Sequence, residues 1–161
     1  MSSSSNLRLA APADAGAIAA VKIASWRWAY AGLLPHVLLE ALDPATEEAE
    51  WRTYLEEMPP DDRLWVALHR GIIKGFARTG PGEVHGLYVA PDCLRAGLGR
   101  RLFTQAVADL TERGFAPVVL WHFVGNDRAA AFYERAGFPL DGVTRRSDFG
   151  VDEVRRSGPA A

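Results

Sequence analysis

A mixed α/β domain built around one central sheet is the fold class predicted by this 161-residue sequence. The first observation behind that reading is a change of texture at Pro59 and Pro60: helical patterns precede them, and short β-branched and aromatic runs follow. The second is the order of those runs, which read β, β, β, α, β, α, β, β to the end of the chain. The third is that no Pro-, Gly- or Ser-rich stretch divides the chain. Residues 7–157 therefore read as a single domain between tails at 1–6, "MSSSSN", and 158–161.

Taken in order, "LRLAAPADA" reads as a short strand and a helix start, with Asp14 near the first turn, where its charge suits the helix dipole. The helix continues through "AIAAVKIASWRWAY". Pro35 starts a short helical piece, "HVLLEAL", and Pro44 resets the chain before "ATEEAEWRTYLEEM". "RLWVALHR" and "IIKGFARTG" are strands around Arg70-Gly71, a tight hairpin signal, and "PGEVHGLYVA" is a third. In "GLGRRLFTQAVADLTERG", Leu98, Leu102, Phe103, Ala106, Val107 and Leu110 share one helical face, and Gly114 marks its end. "APVVLWHFV" is a strand, and "NDRAAAFYERAGF" a helix with an Asn cap and Gly137 as terminator. "PLDGVTRRSDFGVDEVRRS" reads as a closing hairpin.

Lys and Arg total 18 and Asp and Glu 20, a formal net charge of −2, which argues against a broad electrostatic grip on nucleic acid or an anionic membrane. No uninterrupted apolar stretch is long enough to span a bilayer, and the opening residues lack the basic start and apolar core of a signal peptide. The single cysteine, Cys93, forms neither an internal disulfide nor a four-ligand zinc cage, so no metal is expected and a reducing, cytoplasmic setting is.

The sharpest local signal is "LYVAPDCLRAGLGRRL", residues 87–102. A strand running into Gly97-Leu98-Gly99 and then a helix leaves several backbone N–H groups unpaired at the helix start, a site for an anion such as phosphate. Gly lets oxygens approach those amides, and Arg95, Arg100 and Arg101 add charge at the same mouth. A P-loop reading fails because Arg100-Arg101-Leu102 follows where Gly-Lys-Ser/Thr is needed. A Rossmann fingerprint lacks its third small residue, where Leu102 stands, and belongs on the first βα turn rather than in mid-chain. Coenzyme A is the remaining reading.

Here the sequence resembles the GNAT superfamily of acyl-CoA-dependent N-acyltransferases. "LYVAPDCLRAGLGRRL" is similar to its pyrophosphate-binding motif, and "NDRAAAFYERAGF" to its downstream Asn…Ala…Phe-Tyr…Gly-Phe motif, with a helix and one strand between them. "ASWRWAYAGLLP" is similar to the acceptor-side helices of many members. Leu94 stands where the motif usually carries Gln or Arg, and Arg95 offers its charge one place on. The resemblance implies a mostly antiparallel sheet of six or seven strands whose middle strands splay, flanked by about four helices. It also implies acetyl transfer from acetyl-CoA directly to a primary amine of a small molecule or protein. A homodimer is an assembly that it admits.

It further implies that the donor's pantetheine arm pairs with the backbone of Leu87, Tyr88 and Val89. Arg95, Ala96, Gly97, Leu98, Gly99 and Arg100 then cradle the pyrophosphate, and Asn126, Ala129 and Tyr133 contact the arm. Tyr133 is the group implied to assist departure of the CoA thiolate: a phenol near pKa ~10 facing a thiol near ~8.5 is mismatched by only about 2 kcal/mol. Candidate bases for the amine are Glu83, His85 and His122, with Glu83 ranked first; Glu83 and His85 share a strand face. Trp26 and Tyr30, four apart on one helix, and His122 are candidates to contact the acceptor, with packing as the plainer role of each. A non-catalytic acyl-CoA sensor is the alternative to an enzyme.

Overall fold

The apolar runs after Pro60 do form the core of a single sheet. A computed structural model describes residues 5–159. Its elements are β1 (Ser5–Leu9), α1 (Ala15–Ala29), α2 (His36–Glu40), α3 (Pro44–Glu56), β2 (Arg63–His69), β3 (Ile72–Gly80), β4 (Glu83–Val89), α4 (Leu98–Glu112), β5 (Val118–Phe123), α5 (Asp127–Arg135), β6 (Leu140–Arg146) and β7 (Asp152–Gly158). The seven strands lie in the order β1-β2-β3-β4-β5-β7-β6. All neighbours are antiparallel except β4 and β5.

Local devices fix the ends of several elements. Arg70 (φ 54°) and Gly71 (φ 79°) both take left-handed torsions, the two-residue turn that suits the right-handed twist of β2 and β3. Asp43 caps α3, its carboxylate accepting from Thr46 N at 2.9 Å. On α4, Leu98, Leu102, Phe103, Ala106 and Leu110 are buried. They pack against Ala67, Ala77, Val84, Val118 and Leu120 of the sheet. On the opposite face, Ile18 and Val21 of α1 and Leu55 of α3 pack on Leu64, Val66 and Phe76. The sheet is thus covered on both sides.

The expected tails need correction. Ser5 and Asn6, read as tail, already pair with His69 and Leu68 in β1; at the other end Gly158 pairs with Val118. Residues 1–4 and 160–161 of the expected tails lie outside the described residues. Asp14 stands at the N-cap of α1, as expected, though no hydrogen bond from its carboxylate caps that helix. Its carboxylate accepts from both terminal nitrogens of Arg8 at 2.7 and 2.9 Å and from Ala11 N at 2.8 Å, tying β1 to the start of α1. The Arg8 guanidinium holds the Asp14 carboxyl below its ordinary range.

Candidate active site

β4 and β5 meet in register only at Glu83↔Val119 and Val84↔Leu120. Beyond Val84 the two strands part, and a cleft of about 1220 Å3 opens between them. Its walls include Leu87, Tyr88 and Val89 on one side, and Trp121, His122 and Phe123 on the other. Past the fork, backbone groups of β4 on that side face the cleft rather than a neighbouring strand.

β4 also carries a bulge. Thr79 opposes Val84 and Arg78 opposes Gly86, which leaves His85 as an extra residue. Two glycines accommodate the distortion. A Cβ on Gly80 would lie 2.5 Å from His85 Nε2, and one on Gly86 would lie 2.7 Å from the Tyr88 ring. The His85 and Tyr88 rings therefore fold back over bare backbone.

At the mouth, Gly97 is the N-cap of α4 with φ 76°, and no side chain caps the helix. The first helical bond runs from Arg101 N to Gly97 O at 3.2 Å, so the Leu98, Gly99 and Arg100 amides precede it. The Leu98 side chain is wholly buried in the core, so this residue can offer a ligand only its backbone. Gly99 faces the cleft; a Cβ there would make only ordinary contacts with Val89 and Phe132, at 3.5 Å and beyond. The fold therefore does not itself demand a glycine at 99, whereas a ligand drawn close to the amides would. Arg95, Ala96 and Arg100 are exposed at this corner, and Leu94 lines the cleft. Arg95 and Ala96 do not line it.

Asn126 caps α5, accepting from Ala129 N at 3.2 Å, and both residues line the cleft. Tyr133, one turn further, is buried against Phe103, Phe132 and His122. Burial, reinforced by the Tyr88 phenol, pushes the Tyr133 hydroxyl far above its ordinary value. Burial thus widens the expected mismatch with a thiol and keeps the phenol protonated.

His122 lies under Tyr133, ring centroids 6.2 Å apart and planes 19° from parallel. Both of its nitrogens are engaged. Arg156 Nε donates to Nε2 at 2.9 Å, so Nε2 is the bare nitrogen and Nδ1 carries the proton given to Phe123 O at 3.1 Å. Burial, with Arg156 adding to it, lowers the His122 pKa. A neutral, doubly bonded imidazole is not free to act as a base, and only its ring can meet an acceptor. Arg156 itself is buried and donates to Glu134 Oε2 at 2.6 Å and Phe138 O at 3.0 Å.

The far end of the cleft is aromatic and acidic. Trp26 packs edge-on against Tyr30 (5.2 Å) and Phe149 (5.9 Å), and Tyr30 against Phe123 (5.0 Å). Glu83 Oε2 lies 2.5 Å from His85 Nδ1. The His85 hydrogen bond, then the charge of His85 and of Arg145, hold the Glu83 carboxyl below its usual range against the opposing effect of burial. Arg145 also donates to Glu153 Oε2 at 2.6 Å and stacks on Trp121 at 3.9 Å. Glu153, Arg145, Phe149 and Arg156 were not singled out from sequence. Only the insertion of β7 beside β5, which sets Glu153 opposite Phe123, brings them to the site.

Among the described residues there is no group of three or more metal-ligating side chains, and no helix is long and apolar enough to cross a membrane. Comparison with known proteins gives a consistent picture. The family model "Acetyltransferase (GNAT) family" matches residues 22–138. A probable N-acetyltransferase of Mycobacterium tuberculosis is 30% identical over 151 residues, spanning 86% of this chain and 82% of that protein. A GCN5-related N-acetyltransferase from Rhodopseudomonas palustris superposes with a TM-score of 0.78 at 25% identity, covering 98% of this chain and 97% of the other. YncA from Salmonella typhimurium, solved with its cofactor acetyl-CoA, superposes with a TM-score of 0.71 at 19% identity, covering 99% and 98%.

Proposed function

The chain belongs to the GNAT acetyltransferase family, and from that premise we propose that it moves an acetyl group from acetyl-CoA directly to the primary amine of a small molecule or protein. The observation that carries the proposal is the fork between β4 and β5, with the uncapped start of α4 at its mouth and Tyr133 on its wall. The residues fit the donor. The amides of Leu98, Gly99 and Arg100 would hold its pyrophosphate beside Arg100, the unused edge of β4 at Leu87–Val89 would pair with its two amides, and Asn126 would flank it. When bound, the donor supplies an acetyl group already activated as a thioester.

The chain's own part is positioning and charge. As the amine nitrogen bonds to the acetyl carbon and the carbon–sulfur bond breaks, the electron pair leaves with sulfur. Tyr133, with its proton held fast by burial, offers that sulfur a hydrogen bond rather than a full proton. Glu83 and Glu153 offer carboxylate oxygens, with which an ammonium would pair, at the acceptor end beside Arg145. A depressed Glu83 carboxylate is a poor match for an amine proton, which therefore leaves through water. At pH 7 an amine of pKa ~10.4 costs about 4–5 kcal/mol to deprotonate, and one near ~7.8 about 1 kcal/mol, so rates should climb with pH up to the acceptor's own pKa.

The test is a thiol-release screen of amines with acetyl-CoA as donor. Release with at least one amine supports an enzyme. Tight CoA binding with no release across the panel would favour an acyl-CoA sensor instead.

A further inference from the structure

A second, smaller pocket of about 130 Å3 opens beside the cleft and shares Trp26, His85, Gly86 and Tyr88 with it. Its remaining walls bring two cations, Lys22 and Arg78. Lys22 is already committed, with Nζ 2.9 Å from Glu47 Oε2 and 4.6 Å above the Trp26 ring. Arg78 is not. It lies half-buried over the Tyr54 ring at 4.6 Å, and among the described residues it has no carboxylate within ion-pair distance. Its Nε is buried with no hydrogen-bond partner. Asp62 Oδ2 accepts from the Tyr54 hydroxyl at 2.8 Å, and no ion pair joins Asp62 to Arg78 among the described residues.

An arginine on the wall of an open pocket, with no carboxylate partner of its own among the described residues, is completed by an anion. Resting on the acetyl-transfer reading above, we propose that this pocket takes the carboxylate of the acceptor, so that the acceptors are amines carrying a carboxylate a few bonds from the nitrogen. Size supports this choice. The pocket equals roughly four water volumes at about 30 Å3 each, room for a carboxylate and one or two carbons. The planar fork of Arg78 matches two carboxylate oxygens, and the Trp51 and Phe76 rings suit the adjoining methylenes. Position supports it too. The pocket joins the cleft at the His85–Gly86 bulge, so an anchored acceptor extends its amine along β4 toward Glu83. The two ends of the acceptor then meet charges of opposite sign to their own.

The test compares thiol release for β-alanine, γ-aminobutyrate and phenylalanine with that for their carboxamides and for taurine, using the full chain. At least one acid should exceed its own carboxamide in kcat/KM by about tenfold or more. Arg78→Met, which keeps the apolar stem, should bring that ratio to within about twofold of one, and Arg78→Lys should leave it between. Circular dichroism checks that each variant folds. Carboxamides turned over as fast as acids, or a ratio that Arg78→Met leaves intact, would overturn the assignment, as would taurine outrunning every acid.

A second readout needs no turnover. Trp26 and Trp51 wall the pocket, so propionate should give a saturable change in tryptophan fluorescence that propionamide does not, and Arg78→Met should abolish it. If no amine is acetylated yet propionate gives this response, the transfer reading fails while the carboxylate site stands. If no amine is acetylated and propionate gives none, the site falls as well.

Discussion

The two ends of the cleft are assembled in opposite ways. Toward α4 and α5, the groups come from three short stretches, 87–89, 94–100 and 126–133, and much of what they offer is backbone: a strand edge left bare by the fork, uncapped amides, a left-handed Gly97. Toward α1, the groups are side chains from α1, β3, β4, β6 and β7, as far apart in sequence as Lys22 and Glu153. A backbone cradle depends on local turn geometry and tolerates wide variation around it. A side-chain pocket depends on which strands become neighbours, and one exchanged residue alters what it accepts. One end therefore suits an invariant donor, the other a changeable acceptor.

Mutations can break this contrast, beginning with the one of largest expected effect. Tyr133→Phe should lower kcat by about 100-fold while CoA affinity, read by calorimetry, changes by less than about threefold. A loss of affinity equal to the loss of rate would instead make Tyr133 a packing residue. Gly97→Val should weaken CoA binding by about tenfold or more, because a β-branched residue resists φ 76° and reshapes the corner. Nothing lies within 4 Å of the added Cβ, so the variant should still fold, as a thermal melt would show.

Gly80→Ala probes the other end. Its Cβ would meet His85 Nε2 at 2.5 Å, so the ring must move and the Glu83–His85 pair must break or shift. A cost of about 1–3 kcal/mol in denaturant unfolding is expected, with CoA affinity unchanged, since the donor end is built elsewhere. The smallest effect is that of His122→Gln. The folded state resists protonation of His122, so the unfolded chain binds the proton first as pH falls below roughly 6.5, and stability falls with it. The glutamine variant should show a shallower loss between about pH 7.5 and about pH 5 in paired thermal melts.

What could be read from sequence follows the same division. Gly97, Gly99, Asn126 and Tyr133 sit in contiguous patterns whose spacing reports a turn, a cap or a helical face. The Arg70-Gly71 hairpin and the buried stripe of α4 were legible for the same reason. Arg78, Glu153 and Arg156 were not, because nothing local tells that β3 will bring Arg78 to the smaller pocket, or that β7 will set Glu153 in the cleft and Arg156 against His122. The bulge at His85 was hidden as well: simple alternation places Glu83 and His85 on one face, but only the register with β3 reveals the extra residue. Burial was the other blind spot. Tyr133 was found by its pattern, while the shift of its hydroxyl arises from neighbours on α4 and β5.

The placement of β7 has a consequence for how this molecule comes into being. β7 separates β5 from β6, so during synthesis β5 and α5 leave the ribosome with an unpaired edge, and β6 has nothing to join. The nascent chain reaches its finished sheet only when residues 152–158 arrive, bringing Glu153 and Arg156 with them. β7 is thus the strand that fixes His122, through Arg156, and this wall of the cleft is finished only when β7 docks between β5 and β6.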